Sequence, residues 1–246
     1  MNEKNIEEES LNSKKILIDC KRINLDNYEK EEGSGFYYQK DIDFSNKKYK
    51  LIGSGCRYKM CLAVYSVGMY CSNVPKELII ENSIQKILLS DSKKILLLKM
   101  YREIDILTMT SALNSAFKKR IDAKNKENKK IVDNLIYFEW ILKKFIPNGL
   151  QQHDELVFEW DNSKINIYIG KNTQEIDSSY FYSKIKDNLT PSNKLIKIGE
   201  VDDINICKIL FDCYLDKNSV TSNIKYSINR FIVNLSGIDD IEKNKE

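Results

Sequence analysis

The chain carries a single histidine, His153, in 246 residues. That excludes the usual multi-histidine zinc sites, and without a nucleophile motif beside it His153 gives no support to a Ser-His-Asp arrangement. No glycine-rich phosphate loop is present. No run of about 18 apolar residues exists to span a bilayer, so integral membrane insertion is not expected. Met1 to Ser10 is acidic and lacks the apolar stretch of a secretory signal. The formal net charge is only +3, too weak a field to argue by itself for nucleic acid or an acidic membrane. Three prolines and nine glycines are few; set against abundant Asn, Lys and Ile, this is put down to nucleotide bias, and no partner follows from it.

Six cysteines, at 20, 56, 61, 71, 207 and 213, lie mostly inside apolar segments and not at the spacings of a disulfide framework. A reducing compartment is the simpler reading, and a cytoplasmic protein is expected. The length suits one compact core. Residues 1–34 are polar and charged, broken only by Ile16-Leu17-Ile18 and ending in Glu31-Glu32-Gly33-Ser34-Gly35. They are read as a flexible charged tail with a possible short strand, followed by a domain over 35–238 and a charged tail over 239–246.

Strand-like runs occupy Tyr49 to Ile52, Met60 to Cys71 and Ile95 to Tyr101. A hairpin is predicted from Leu156 to Trp160, through Asp161-Asn162-Ser163-Lys164, to Ile165 to Ile169, with period-two alternation in its second arm. Helical spacing relates Ile106, Met109, Leu113, Ala116 and Phe117, and again Ile131, Leu135, Phe138, Leu142 and Phe145, stopping at Pro147-Asn148-Gly149. Two closing helices follow. Asp202 and Asp203 favour the positive end of the first, which carries Ile204, Cys207, Phe211 and Tyr214. The second starts near Thr221 or Ser222 and buries Ile224, Ile228, Phe231, Ile232 and Leu235. Helices with antiparallel strands make the class α+β. The basic run Lys118-Lys119-Arg120, continued by Lys124, Lys126, Lys129 and Lys130, lacks interleaved aromatics and is interrupted by Asp122 and Glu127. It reads as a solvated helix face, so no nucleic-acid partner is expected.

The most informative stretch is Gly53-Ser54-Gly55-Cys56-Arg57-Tyr58-Lys59, which sets one arginine among apolar residues. Glycines at 53 and 55 let the backbone bend or approach a neighbour where a side chain would clash. With Val64, Tyr65, Gly68 and Tyr70, this segment resembles the chalcone isomerase-like superfamily, in which a glycine pair, an Arg and a basic residue precede an apolar run closing in Val-Tyr-x-x-Gly-x-Tyr. A second region, Leu210-Phe211-Asp212-Cys213-Tyr214-Leu215 followed by Ser219-Val220, extends the resemblance over roughly residues 49–236. The fold it implies is an open-faced β-sandwich, a curved antiparallel sheet with helices packed on one face.

Chalcone isomerases use an Arg to hold an anion, and Thr, Tyr and Asn groups to order water and polarise a ketone. Arg57 matches that arginine. Tyr65 stands in place of the family's strand threonine and Cys213 in place of the hydroxyl residue of the C-terminal helix. Asn114 stands for the asparagine, and Leu107 occupies the tyrosine position. Losing hydroxyls that would stabilise developing enolate charge argues against chalcone cyclisation. The fatty-acid-binding branch of the superfamily fits better, since there an Arg and a Tyr anchor a carboxylate. Arg57 and Tyr65 match both, and Leu62, Val64, Met69, Leu113, Phe117 and Phe211 are candidates for an apolar wall.

The resemblance thus implies a binding protein for a fatty acid or similar carboxylated ligand, with Arg57, Tyr65, Asn114 and Cys213 at the site and no cofactor or metal. Two alternatives stay open: an intramolecular lyase acting on an unknown substrate, and a structural or partner-binding relic. Read without the family, Arg57 would be a salt bridge to a carboxylate on the facing helix, Tyr65 a core residue and Cys213 a packed small hydrophobe.

Overall fold

The structure, a computed structural model, describes residues 25–74, 82–121, 129–171, 195–221 and 223–236. Its frame is a seven-stranded antiparallel sheet in which every strand pairs with its neighbour in sequence: β3 Asp41–Phe44, β4 Lys47–Lys59, β5 Leu62–Cys71, β6 Lys94–Met100, β7 Glu155–Asp161, β8 Lys164–Gly170 and β9 Ile196–Asp202. A small hairpin, β1 Tyr28–Lys30 with β2 Tyr37–Gln39, precedes it. Five helices complete the described residues: α1 Ser83–Leu89, α2 Ile106–Lys118, α3 Lys129–Phe145, α4 Ile204–Leu215 and α5 Ile224–Ser236. This is the expected α+β architecture, a curled antiparallel sheet with helices against it. None of these helices is long and apolar enough to cross a membrane.

Period-two alternation builds two cores. Val67, Met69, Leu96, Leu98, Leu156, Phe158, Ile165 and Ile167 point to the helices and join the main cluster. The intervening Tyr70, Ile95, Leu97 and Val157 point to the other face and pack with Phe36, Tyr38, Tyr49 and Leu51. Covering both faces explains why β6 is buried at all of its positions.

The glycine pair is where helix meets sheet. A Cβ on Gly53 would lie 2.5 Å from Ile228 Cγ1 and 2.9 Å from the Ile228 nitrogen, and one on Gly55 only 2.7 Å from the Ile224 nitrogen. The glycines therefore let the α5 backbone rest on β4, with Ile224 and Ile228 fully buried there. Burying each of those side chains stabilises the fold by about 1.5 to 3 kcal/mol. The buried Ser54 N–H donates to Ser227 Oγ at 3.0 Å, fixing the register of the pair.

Several sequence expectations need correction. Gly53 and Gly55 lie inside a strand of 13 residues and do not end one at Ile52. Met60 and Cys61 are not strand: both have positive φ, 50° and 63°, and form the two-residue turn between β4 and β5, the conformation that matches the twist of paired strands. The tail boundary expected at residue 34 falls within structured chain. Tyr28–Lys30 pairs with β2, and Glu31 is buried, its carboxylate accepting from the backbone N–H groups of Gly33 (3.1 Å) and Ser34 (2.7 Å). Ile16 to Ile18 and the expected tail 239–246 lie outside the described residues. Phe145 and Leu235, placed on buried stripes, are exposed.

Candidate ligand cavity

One end of the sheet and the helices above it enclose a cavity of about 450 Å³, within the size range of small-molecule sites. Its floor comes from β4 to β7, its walls from α2 and α4, and its edge from the β4–β5 turn and the segment Arg102 to Asp105. Met100, Met109, Leu113, Leu156 and Phe158 give it an apolar lining.

Gly53, Gly55 and Arg57 alternate along the helix-facing side of β4, so the arginine emerges just beyond the place where α5 lies on the strand. Its Nη1 donates to the Val220 carbonyl, 2.7 Å away, in the connection between α4 and α5. Among the described residues no carboxylate pairs with it. The facing-helix salt bridge that would make Arg57 purely structural is therefore not made there. Arg57 is half-buried and lines the cavity.

Tyr65 is the cross-strand neighbour of Arg57, and its hydroxyl lies 3.4 Å from that of Tyr214 on α4. Burial raises the Tyr65 phenol above its ordinary range, more than the nearby Arg57 charge lowers it, and burial pushes Tyr214 up further. Both phenols stay protonated at neutral pH, so each can donate a hydrogen bond.

Cys213 also reaches the wall. Burial pushes its thiol up to about 12, and Sγ donates to the Ile209 carbonyl one turn back at 3.2 Å. A neutral thiol so engaged packs as a small apolar group.

Asn114 is not brought to this site. Thr108, Met109, Ala112, Leu113 and Ala116 are the cavity-lining positions of α2, and the next residue along a helix turns about 100° away. Asn114 instead donates from Nδ2 to Glu139 Oε2 at 2.7 Å, and Glu139 pairs with Lys143 at 2.6 Å. Leu107 points outward too, at 67 % exposure. Of the expected apolar wall, Leu62, Val64 and Leu113 line the cavity, whereas Met69, Phe117 and Phe211 belong to the packed core.

Tyr214 and Arg102 are among the lining residues that the sequence did not place at the site. Tyr214 was indistinguishable from its buried neighbours on the α4 stripe. Arg102, between the β6 run and α2, was not singled out; its Nε donates to the Ala63 carbonyl at 2.8 Å and holds the side chain against the cavity edge. Opposite charge is close by: Glu103 lines the same edge, and Asp105 caps α2, its carboxyl held below the ordinary range by hydrogen bonds with Thr108. The edge is thus mixed in sign, whereas the interior presents one cation and two phenols.

A family model described as chalcone isomerase-like matches residues 30–188. The chain belongs to the chalcone isomerase-like family. Among solved structures it is similar to the crystal structure of an Arabidopsis thaliana fatty-acid binding protein, with a TM-score of 0.62 and 17 % identity over 85 % of this chain and 98 % of that one. At that identity the likeness establishes the shared fold alone. No curated protein matches in sequence. For this chalcone isomerase-like chain, the family match begins at residue 30, consistent with structured chain from β1 onward.

Proposed function

We propose that the protein binds a fatty acid or similar carboxylated hydrophobic ligand, with the carboxylate on Arg57 and Tyr65 and the hydrocarbon in the cavity. The observation that carries this reading is a guanidinium with no carboxylate partner among the described residues, beside a protonated phenol, at the wall of an apolar cavity. A carboxylate would match the planar fork and accept a further bond from the phenol. The structural likeness to a fatty-acid binding protein supports the same ligand class. A relic would leave a collapsed or polar cleft at Arg57, and a cavity of about 450 Å³ speaks against it.

The direct test is native mass spectrometry of protein purified from cells, followed by titration of delipidated protein with dodecanoic acid. A co-purified carboxylic acid and saturable binding in the micromolar range are expected. Protein that purifies without ligand and takes up no dodecanoic acid at about 1 mM, a free energy near 4 kcal/mol, would end the reading.

Family membership keeps intramolecular lyase activity as the second reading. The polar groups such a reaction would draw on are poorly supplied here: Asn114 is committed to Glu139 outside the cavity, and the Cys213 thiol donates to its own helix. A simple hydroxychalcone is therefore expected to cyclise no faster with the protein than without it, as followed by flavanone formation. Clear acceleration would return the lyase reading to first place.

A further inference from the structure

Helix α3 carries two apolar stripes, and only one is buried. Ile131, Phe138, Ile141 and Leu142 enter the core. On the opposite side Val132, Ile136, Tyr137 and Trp140 are exposed at 38, 61, 46 and 47 %, spaced so that all four share one outward face. The Tyr137 and Trp140 rings stack at 5.6 Å with 17° between their planes. The Lys144 ammonium sits 4.5 Å above the Trp140 ring and 5.3 Å from that of Phe145.

The charge on this helix has the complementary arrangement. Lysines 129 and 130 lie at its start and 143 and 144 at its end, against only Asp133 and Glu139, and Glu139 is committed to Asn114 and Lys143. A solvated helix face is ordinarily polar. The face also carries exposed Asp133, one turn from the N-terminal lysines, so its charge is cationic only at the two ends; a face of Trp, Tyr and Ile with lysines at both ends suits one environment in particular, the interfacial zone of a bilayer. There amphipathic rings sit at headgroup level while lysine stems lie along apolar surface and their ammonium groups meet lipid phosphates. A protein groove would have to supply both an apolar trough and acids at each end of it; an anionic lipid surface supplies both without specific shape.

We propose that the outward face of α3 docks on an anionic lipid bilayer, with Ile136 and Trp140 entering the interfacial zone and Lys129 and Lys144 meeting headgroup phosphates. The helix lies in the plane of the surface and does not cross it. This inference does not depend on the ligand assigned to the cavity.

The chain supplies its own reporter. Of its two tryptophans, Trp160 is buried at 5 % exposure, its indole N–H bonded to the Asn162 carbonyl, so an emission change on adding vesicles reports Trp140. Full-length protein should float with phosphatidylcholine vesicles containing phosphatidylserine, with blue-shifted emission that salt reverses. It should bind pure phosphatidylcholine about tenfold or more weakly. Ile136→Asp should abolish flotation while leaving the melting temperature close to the parent value, since the side chain is exposed. The double variant Lys129→Glu with Lys144→Glu should lose binding to the anionic vesicles in particular. Three results would overturn the proposal: no flotation with either vesicle, equal flotation with both, or a concentration-dependent emission shift without lipid accompanied by dimer sedimentation, which would assign the face to a second copy of the chain.

Discussion

Gly55→Val is expected to lower the melting temperature by roughly 6 to 12 °C. Its new Cβ would sit 2.7 Å from the Ile224 nitrogen, and that atom is backbone in the first turn of α5. A side chain could rotate away, but this contact is relieved only by lifting the helix from β4, which strips cover from the buried Ile224 and Ile228 and strains the Ser54 to Ser227 hydrogen bond. Overpacking typically costs about 1 to 3 kcal/mol and occasionally more; a clash with backbone that no rotamer relieves falls at the upper end, and a domain of this size loses roughly 2 to 4 °C per kcal/mol. Gly35→Ala separates crowding from a generic penalty for replacing glycine. Gly35 has φ of +76° and nothing within 4 Å of the added Cβ, so only the left-handed backbone resists, at about 1 kcal/mol. Differential scanning calorimetry on both variants tests the ordering, and equal melting shifts would show that α5 does not depend on the absence of a side chain at Gly55.

This contact also explains why the glycine pair and the arginine read as one motif. The glycines seat α5, the chain leading into α5 carries Val220, and the Val220 carbonyl aims the Arg57 guanidinium. A substitution at Gly55 should therefore disturb the site as well as the fold.

Elements that announce themselves through strong local signals were legible. The β7–β8 hairpin follows from alternation around Asp161 to Lys164, and α4 from Asp203, whose carboxylate accepts the Asn205 N–H at 2.8 Å as an N-cap. Elements held by tertiary contacts were not. β9, with Lys197, Gly199 and Glu200 in seven residues, is specified by pairing with β8 more than by its own apolar content. β1 to β3 run to only three or four residues each, and α1 is preceded by Asn82, whose side chain makes no capping hydrogen bond.

At the site, Arg57, Tyr65 and Cys213 were reachable because the resemblance fixes them along continuous elements. Asn114 was misplaced because an error of one residue on a helix rotates a side chain by about 100°, enough to carry it from the cavity to the Glu139 side. Tyr214 lies 149 residues from the Tyr65 it meets, and no periodicity within one element encodes such a pairing. The second apolar stripe of α3 was passed over for a related reason: a 3.6-residue period identifies a face, and where several apolar faces exist it does not say which one is buried.

Arg57→Ala is expected to weaken dodecanoic acid binding by roughly ten- to more than a hundredfold, the loss of charge-assisted hydrogen bonds worth about 1.5 to 3 kcal/mol. The fold should survive with a small cost, because the side chain's contact within the described protein is one bond to the Val220 carbonyl, worth about 1 kcal/mol. A purely structural arginine makes the opposite demand: breaking a buried ion pair costs about 3 to 5 kcal/mol of stability and leaves the affinity of the folded fraction untouched. Arg57→Lys should fall between parent and Ala, since it keeps the charge and loses the planar fork. Tyr65→Phe should cost roughly 1 kcal/mol, about fivefold in affinity, by deleting one neutral donor while the ring still fills its place. Titration calorimetry with dodecanoic acid and thermal melts on the three variants decide the matter, and unchanged affinity in Arg57→Ala would remove Arg57 as the anchor.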